Sequence, residues 1–313
     1  MESTPHLTAG PVAALDCGTN STRLLVADGA GRPLERLMRI TRLGEGVDAT
    51  GSLSEAAIER CVAVLREYRS VMDRHGVEGA RLVATSAARD ASNGVVFFAA
   101  AEEATGVEPE LLSGREEGAL SMAGAVADLD PADGPFLILD IGGGSTELVA
   151  GSGPDDPELA VVSLQLGCVR VSERFLASDP PTPAEMAAAE QMVAEALEQA
   201  VTDHPRFLDK PRLVGLAGTV STLSSLQSGM ATYDRDAVHH SMLTVDQVDH
   251  WYRVLAADDH AARLARPGMV EGREDVMVGG AMILSVVMRR LGLGECLVSE
   301  ADILDGLAMT LLG

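Results

Sequence analysis

The stretch Asp140–Ala150 reads DIGGGSTELVA and follows the apolar run Phe136-Leu137-Ile138-Leu139. Three glycines stand between an acid and a Ser-Thr pair. A second stretch, Asp16-Cys17-Gly18-Thr19-Asn20-Ser21-Thr22-Arg23-Leu24, has the same frame, D-x-G-x-x-S-T-x-L, at a constant offset. Asp16 matches Asp140, Gly18 matches Gly142, Ser21 matches Ser145, Thr22 matches Thr146 and Leu24 matches Leu148. Each copy therefore reads as a buried strand, a glycine turn and a hairpin partner. A repeated opening of this kind predicts a duplicated α/β protein with two lobes, rather than one wound sheet.

The rest of the chain fits that frame. Val12 to Asp16 and Arg23 to Asp28 are the first hairpin. Ser52 to His75 is a helix with Ser52 and Glu55 as capping box, Gly76 as stop, and Ile58, Val62, Leu65 and Met72 as core stripe. Arg81 to Ala84 is a strand, TSAARDASN a loop, and 94–105 and 116–127 are helices. The second series has strands near 136–140, 146–150 and 160–164. A helix then opens at Pro183 with Thr182 and Glu185 as its capping box. The strand 213–216 runs into AGTVSTL, and 273–291 and 301–311 are helical. Leu129–Pro135, LDPADGP, reads as the linker. The expected lobes are 1–128 and 129–313, with the last helix free to pack back on the first lobe. A site is expected in the cleft between lobes, with both glycine turns facing it.

Composition narrows the function. With 46% hydrophobic and 23% charged residues, the chain can bury a large core. A net charge of −23 excludes general nucleic-acid binding, which needs a basic footprint. The N-terminal MESTPHLTAG shows no secretion signal, and the apolar run Val276–Met288 is too short for a bilayer, so no membrane association is expected. Cys17, Cys61, Cys168 and Cys296 form no metal-finger spacing and read as reduced cytoplasmic thiols. Lys210 is the only lysine among 24 basic residues, which reads as codon bias.

A glycine-rich turn leaves successive N–H groups open and can form an anion nest. Gly142, Gly143, Gly144, Ser145 and Thr146 in the second copy, and Gly18, Thr19, Asn20 and Ser21 in the first, are the candidate phosphate-binding residues. Asp16 and Asp140, at strand ends, would repel a phosphate alone but become useful ligands around Mg²⁺. The copies differ where Arg23 matches Glu147: the arginine can hold phosphate, the glutamate can orient water or metal. Gly218 and Thr219 stand at an expected helix N-terminus, another anion-favouring position. The plain alternative is a pair of tight hairpin turns with convenient glycines, and two copies after buried strands favour phosphate.

DCGTNSTRLLVAD, TSAARDASN, LLSGREEGALSMAGAV, DIGGGSTELV, LGCVRVSERF and LAGTVSTL together resemble, in order, segments of the exopolyphosphatase and guanosine-pentaphosphate phosphohydrolase family. The resemblance covers nearly the whole chain. It implies two ribonuclease-H-like lobes of the sugar kinase, heat-shock chaperone and actin superfamily. It also implies Mg²⁺-dependent release of terminal phosphate from inorganic polyphosphate, with Mn²⁺ as the alternative metal, in a cytoplasmic homodimer. By the match Glu117 is the general base, Glu116 its neighbour, and Asp140 and Glu147 are metal- and water-organising acids. Without the match, Glu116-Glu117 would read as an acidic first helical turn. Two departures stand out: Thr19 replaces the family's usual serine, and Leu304 and Asp305 replace an arginine and a glutamate. Longer relatives add HD-type domains, so a preference for shorter polyphosphate is expected.

A chain at −23 repels polyphosphate, so local arginines must prevail. Arg89 leads, with Arg23, Arg170 and Arg273 behind it; ion pairs with Asp90, Glu173 or Asp275 are the alternative. Guanosine pentaphosphate is the alternative substrate. An actin-like or chaperone-like ATPase switch and a sugar or acetate kinase are the competing classes. The ATPase switch would leave Glu117 without a purpose, and a kinase would show no phosphate release without an acceptor.

Overall fold

The computed structural model describes residues 10–209 and 211–313. The stretch read for a secretion signal falls largely outside the described residues, as does Lys210. The chain divides into two compact units: one runs to Gly124 and includes Ile303–Gly313, the other is Ala125–Asp302.

The first unit holds a five-stranded sheet of β1 (Val12–Cys17), β2 (Ser21–Ala27), β3 (Pro33–Ile40), β4 (Gly79–Ala84) and β5 (Pro109–Leu111), in the order β3-β2-β1-β4-β5. The meander β1-β2-β3 is antiparallel, while β4 and β5 add in parallel. The second unit repeats this with β6 (Phe136–Ile141), β7 (Thr146–Gly151), β8 (Ala160–Leu164), β9 (Arg212–Leu216), β10 (Met242–Thr244) and β11 (Glu295–Val298). Its order is β10-β11-β9-β6-β7-β8. Again the meander is antiparallel and β9 and β11 are parallel additions; β10 is an extra antiparallel edge. The duplicated mixed α/β architecture expected from the repeat is present. β1, β6 and β7 are buried along their whole length, in keeping with the apolar runs Val12–Leu15 and Phe136–Leu139 that mark β1 and β6.

Several elements differ from the sequence expectation. The first long helix is Glu55–His75, and its cap is Ser54, whose side chain accepts from Ala57 N, not Ser52. Asn93 explains the shift. Its side-chain amide pairs with both Leu53 N and Leu53 O, at 2.8 and 2.9 Å, and holds residue 53 out of the helix. Gly76 ends the helix in the left-handed region, φ 62°, as expected of a C-cap glycine. TSAARDASN is not all loop, since Ser86–Asp90 is one helical turn. The helix expected from residue 273 begins at Met277. Gly272 sits at φ 84° and its N–H donates to the Glu274 carboxylate, so local bonds compete with the first turn. β3, β5, β10 and β11 carry too weak a pattern to be read from the sequence.

The units divide at Gly124/Ala125, near the expected 128/129, with the last helix in the first unit. The Gly114–Val126 helix runs across the divide at Gly124, and the linker candidate Leu129–Pro135 lies inside the second unit with a 3₁₀ turn at Pro131–Asp133. The last helix, Ile303–Leu312, belongs to the first unit. Its stripe Ile303, Leu304, Leu307, Ala308 and Leu311 buries against Val12, Ala14, Leu25, Ala27 and Val83. Leu304 is thus core, and Asp305 pairs with Arg36 at 2.5 Å. The two family departures in this segment serve packing within the first unit. The four cysteines are free and buried. Among the described residues no helix is long and apolar enough to cross a membrane.

Candidate active site

In the first unit the β1–β2 turn is closed by Gly18 N–H donating to Ser21 O at 3.0 Å. Its carbonyls face the loop that follows β3. Thr41 N and Arg42 N donate to Asn20 O, and Gly44 N donates to Thr19 O. Asn20 is buried, and its Nδ2 has no hydrogen-bond partner. Register places Asp16 opposite Arg23 on β2. Arg23 donates through Nε (2.9 Å) and Nη2 (2.6 Å) to Asp16 Oδ2. The arginine read as a phosphate ligand is therefore anchored on the acid read as a metal ligand.

Glu116 and Glu117 separate cleanly. Glu116 accepts from Ser113 N (2.8 Å) and Ser113 Oγ (2.7 Å), and Glu116 N donates to Ser113 Oγ. This is a capping box at the start of the Gly114–Val126 helix. The Ser113 bonds hold the Glu116 carboxyl below the usual glutamate range. Glu117, one residue on, turns instead toward Arg89, whose Nη1 lies 3.6 Å from Glu117 Oε2. The Glu117 side chain is 12% exposed. Arg89 is fixed by Nη1 donating to Leu112 O at 2.9 Å, and its Nη2 is buried without an acceptor.

In the second unit the β6–β7 turn carries Gly142, Gly143 and Gly144. Cys168 N donates to Gly142 O, Val169 N and Arg170 N donate to Gly143 O, and Arg170 Nε donates to Gly144 O at 2.8 Å. The N-terminus of the Cys168–Phe175 helix thus holds all three carbonyls. Ser145 is buried. Thr146 is fully buried and donates to Leu166 O at 2.5 Å, so its hydroxyl ties β7 to the next segment rather than facing a ligand. Thr22, its match in the first unit, has the same duty toward Thr41 Oγ1, at 2.9 Å. Asp140 and Glu147 face each other in register on β6 and β7, both buried, with Ser163 Oγ donating to Glu147 Oε1.

Gly218 and Thr219 lie in the first turn of the Ala217–Ser228 helix, as expected. Thr219 packs into the core: a Cβ added at Gly280 would come within 2.4 Å of its Oγ1. Arg273, one of the arginines set behind Arg89, also lies at this helix. Arg273 is 9% exposed, and a Cβ added at Gly218 would meet its Cζ at 1.8 Å. Its guanidinium therefore lies flat on the start of that helix. The signal available in the sequence was Gly218 itself, a position with room for no side chain.

As a donor set, Asp140 and Glu147 fit a hard divalent cation: two adjacent buried carboxylates facing each other in register. In the first unit Asp16 has one oxygen engaged twice by Arg23. Two other clusters of possible ligands occur among the described residues, Asp128/His239/His240 and His260/Glu274/Asp275. Neither includes the expected metal residues. In the first, His239 Nδ1 accepts from Glu300 N at 3.0 Å, so the neutral ring carries its proton on Nε2, 2.9 Å from Asp128 Oδ2. That ring is a donor to Asp128 rather than a metal ligand.

A family model described as the Ppx/GppA phosphatase family matches residues 25–312. The chain belongs to the Ppx/GppA phosphatase family. A relative from Mycobacterium tuberculosis named Exopolyphosphatase 2 is 43% identical over 318 residues, covering 96% of this chain and 98% of its own. Among solved structures, an exopolyphosphatase-like protein aligns with TM-score 0.89 and 35% identity, covering 96% of this chain and 98% of that one. A Ppx/GppA family member from Aquifex aeolicus aligns with TM-score 0.78 and 31% identity, covering 97% of this chain and 98% of its own. Family membership and the full-length similarity to Exopolyphosphatase 2 identify the chain as a phosphoanhydride hydrolase.

Proposed function

We propose that this Ppx/GppA protein is an exopolyphosphatase that removes terminal phosphate from inorganic polyphosphate. The carrying observation is the Arg89–Glu117 pair. A buried guanidinium N–H without an acceptor is costly and calls for one. A phosphate oxygen on Arg89 Nη2 would supply it, beside a carboxylate able to take a proton from water. Asn20 Nδ2 offers a second such donor. The near full-length identity to Exopolyphosphatase 2 supports the choice of substrate.

In this reading Arg89, Asn20 and the β1–β2 turn of the first unit hold phosphate, and in the second unit the N–H groups of the Gly142–Gly144 turn do the same. Arg273 and the start of the Ala217–Ser228 helix bind further phosphates. Glu117 orients water in line with the bridging oxygen and accepts its proton as the P–O bond breaks. The shortened chain leaves with the bridging oxygen. Asp140 and Glu147 in the second unit would hold Mg²⁺ or Mn²⁺, whose charge would offset that of the phosphates. A cytoplasmic homodimer completes the proposal, and light scattering on the purified chain tests its oligomeric part.

The deciding assay is phosphate release from polyphosphate with Mg²⁺ and with chelator, run beside guanosine pentaphosphate. Release from polyphosphate that chelator abolishes supports the proposal. Release from guanosine pentaphosphate alone would replace it with the nucleotide reading.

A further inference from the structure

A side chain, Arg170, is tied to the glycine turn of the second unit. In the first unit, the turn carbonyls Thr19 O and Asn20 O accept from backbone N–H groups of residues 41, 42 and 44. In the second unit, Gly142 O and Gly143 O are likewise held by backbone N–H, but Gly144 O is held by a side chain, Arg170 Nε. In a trans peptide the C=O and the following N–H point in opposite directions. Holding the carbonyls of 142, 143 and 144 against the helix therefore aims the N–H groups of Gly143, Gly144 and Ser145 away from it. Three successive N–H groups on one side are the elements of an anion nest. Glycine resists any fixed orientation, so such a turn needs an external constraint. Gly167 lets the constraint come close: a Cβ there would lie 2.3 Å from Gly143 C and O.

We infer that Arg170 is a positioning residue, which fixes the Gly144–Ser145 peptide so that the turn presents its N–H groups to a phosphate of the substrate. The inference rests on the phosphate-binding reading of this turn. It assigns Arg170 to the protein's own backbone through Nε, not to direct capture of polyphosphate.

The test combines amide hydrogen exchange of the full chain, read by mass spectrometry on peptides spanning 142–146, with phosphate release from polyphosphate and Mg²⁺. The variants are Arg170→Met, Arg170→Lys and Gly167→Ala. Arg170→Met is expected to unfold cooperatively like the wild type, exchange faster only at 142–146, and lose ~10–100-fold in kcat/KM, the usual effect of removing a supporting partner. Arg170→Lys, whose ammonium can still donate to Gly144 O, should fall between. Gly167→Ala should give the same local signature with the arginine intact, because it displaces the Gly143 carbonyl. Wild-type exchange at 142–146 in Arg170→Met overturns the inference whatever the activity. Faster exchange with unchanged kcat/KM overturns its functional half. If Arg170→Met does not fold, the lysine and alanine variants decide on the same two readouts. Absence of phosphate release by the wild type would overturn the exopolyphosphatase proposal, while the exchange arm still decides the role of Arg170.

Discussion

Neighbouring glutamates on one helical turn have different work. Glu116 completes a capping box with Ser113, and Glu117 lies beside Arg89. Glu117→Gln should therefore lower kcat by ~10²–10⁴-fold, the range for loss of a general base, with substrate binding retained. Glu116→Gln should change kcat little, because glutamine can still accept from Ser113 N. Steady-state phosphate release on both variants checks the assignment, and equal losses would move the base to Glu116 or beyond. Asp16 and Arg23 make a second contrast. The acid is 3% exposed and the arginine supports it twice. Removing one member of a buried ion pair leaves the other uncompensated, so Arg23→Met should cost about 3 kcal/mol in urea unfolding. The double variant with Asp16→Asn should recover part of that loss. The Asp16–Arg23 contact could not be seen as a pair in the sequence motif, because the strand register creates it.

At the scale of elements, the caps show how local chemistry and tertiary bonds compete. Thr182 and Glu185 were legible as a capping box and form one. Backbone and side-chain bonds from Thr182 pull the Glu185 carboxyl down to about 2. A depressed folded-state value means the stabilisation is present above the ordinary glutamate value and is lost as pH falls through about 2. Glu185→Gln should thus flatten the loss of thermal stability across that acid window, as read by melting temperature against pH. An unchanged slope would show that this carboxylate is not linked to folding. Ser52 looked like an equally good cap, yet Asn93, far along the chain, pins Leu53 and moves the start to Ser54. The last helix likewise read as helical, but which sheet it covers is set by the apolar face of β1, β2 and β4. Leu307 is fully buried there, so Leu307→Ala should cost about 2–5 kcal/mol in equilibrium unfolding.

For the whole molecule, a net charge of −23 repels a polyanion, and salt reduces that repulsion. The screening length shrinks from ~30 Å at 0.01 M to ~8 Å at physiological ionic strength. The apparent KM for polyphosphate should therefore fall as salt rises from low to moderate levels, opposite to a basic polyanion-binding protein. A KM that only rises with salt would mean that local arginines dominate even the long-range field. The sequence by itself determined the duplication, because a buried strand, a glycine turn and a returning strand leave a pattern in neighbouring residues. It also marked Glu117, Asp140, Glu147 and the glycines through a specific set of segments. The tertiary structure alone decided that Arg23 holds Asp16, that Thr146 faces Leu166, that Arg170 grips Gly144 and that Arg273 lies on Gly218. Each of these depends on strand register or on segments distant in the chain. A side chain's partner is fixed by what folding brings beside it, and no local pattern encodes that.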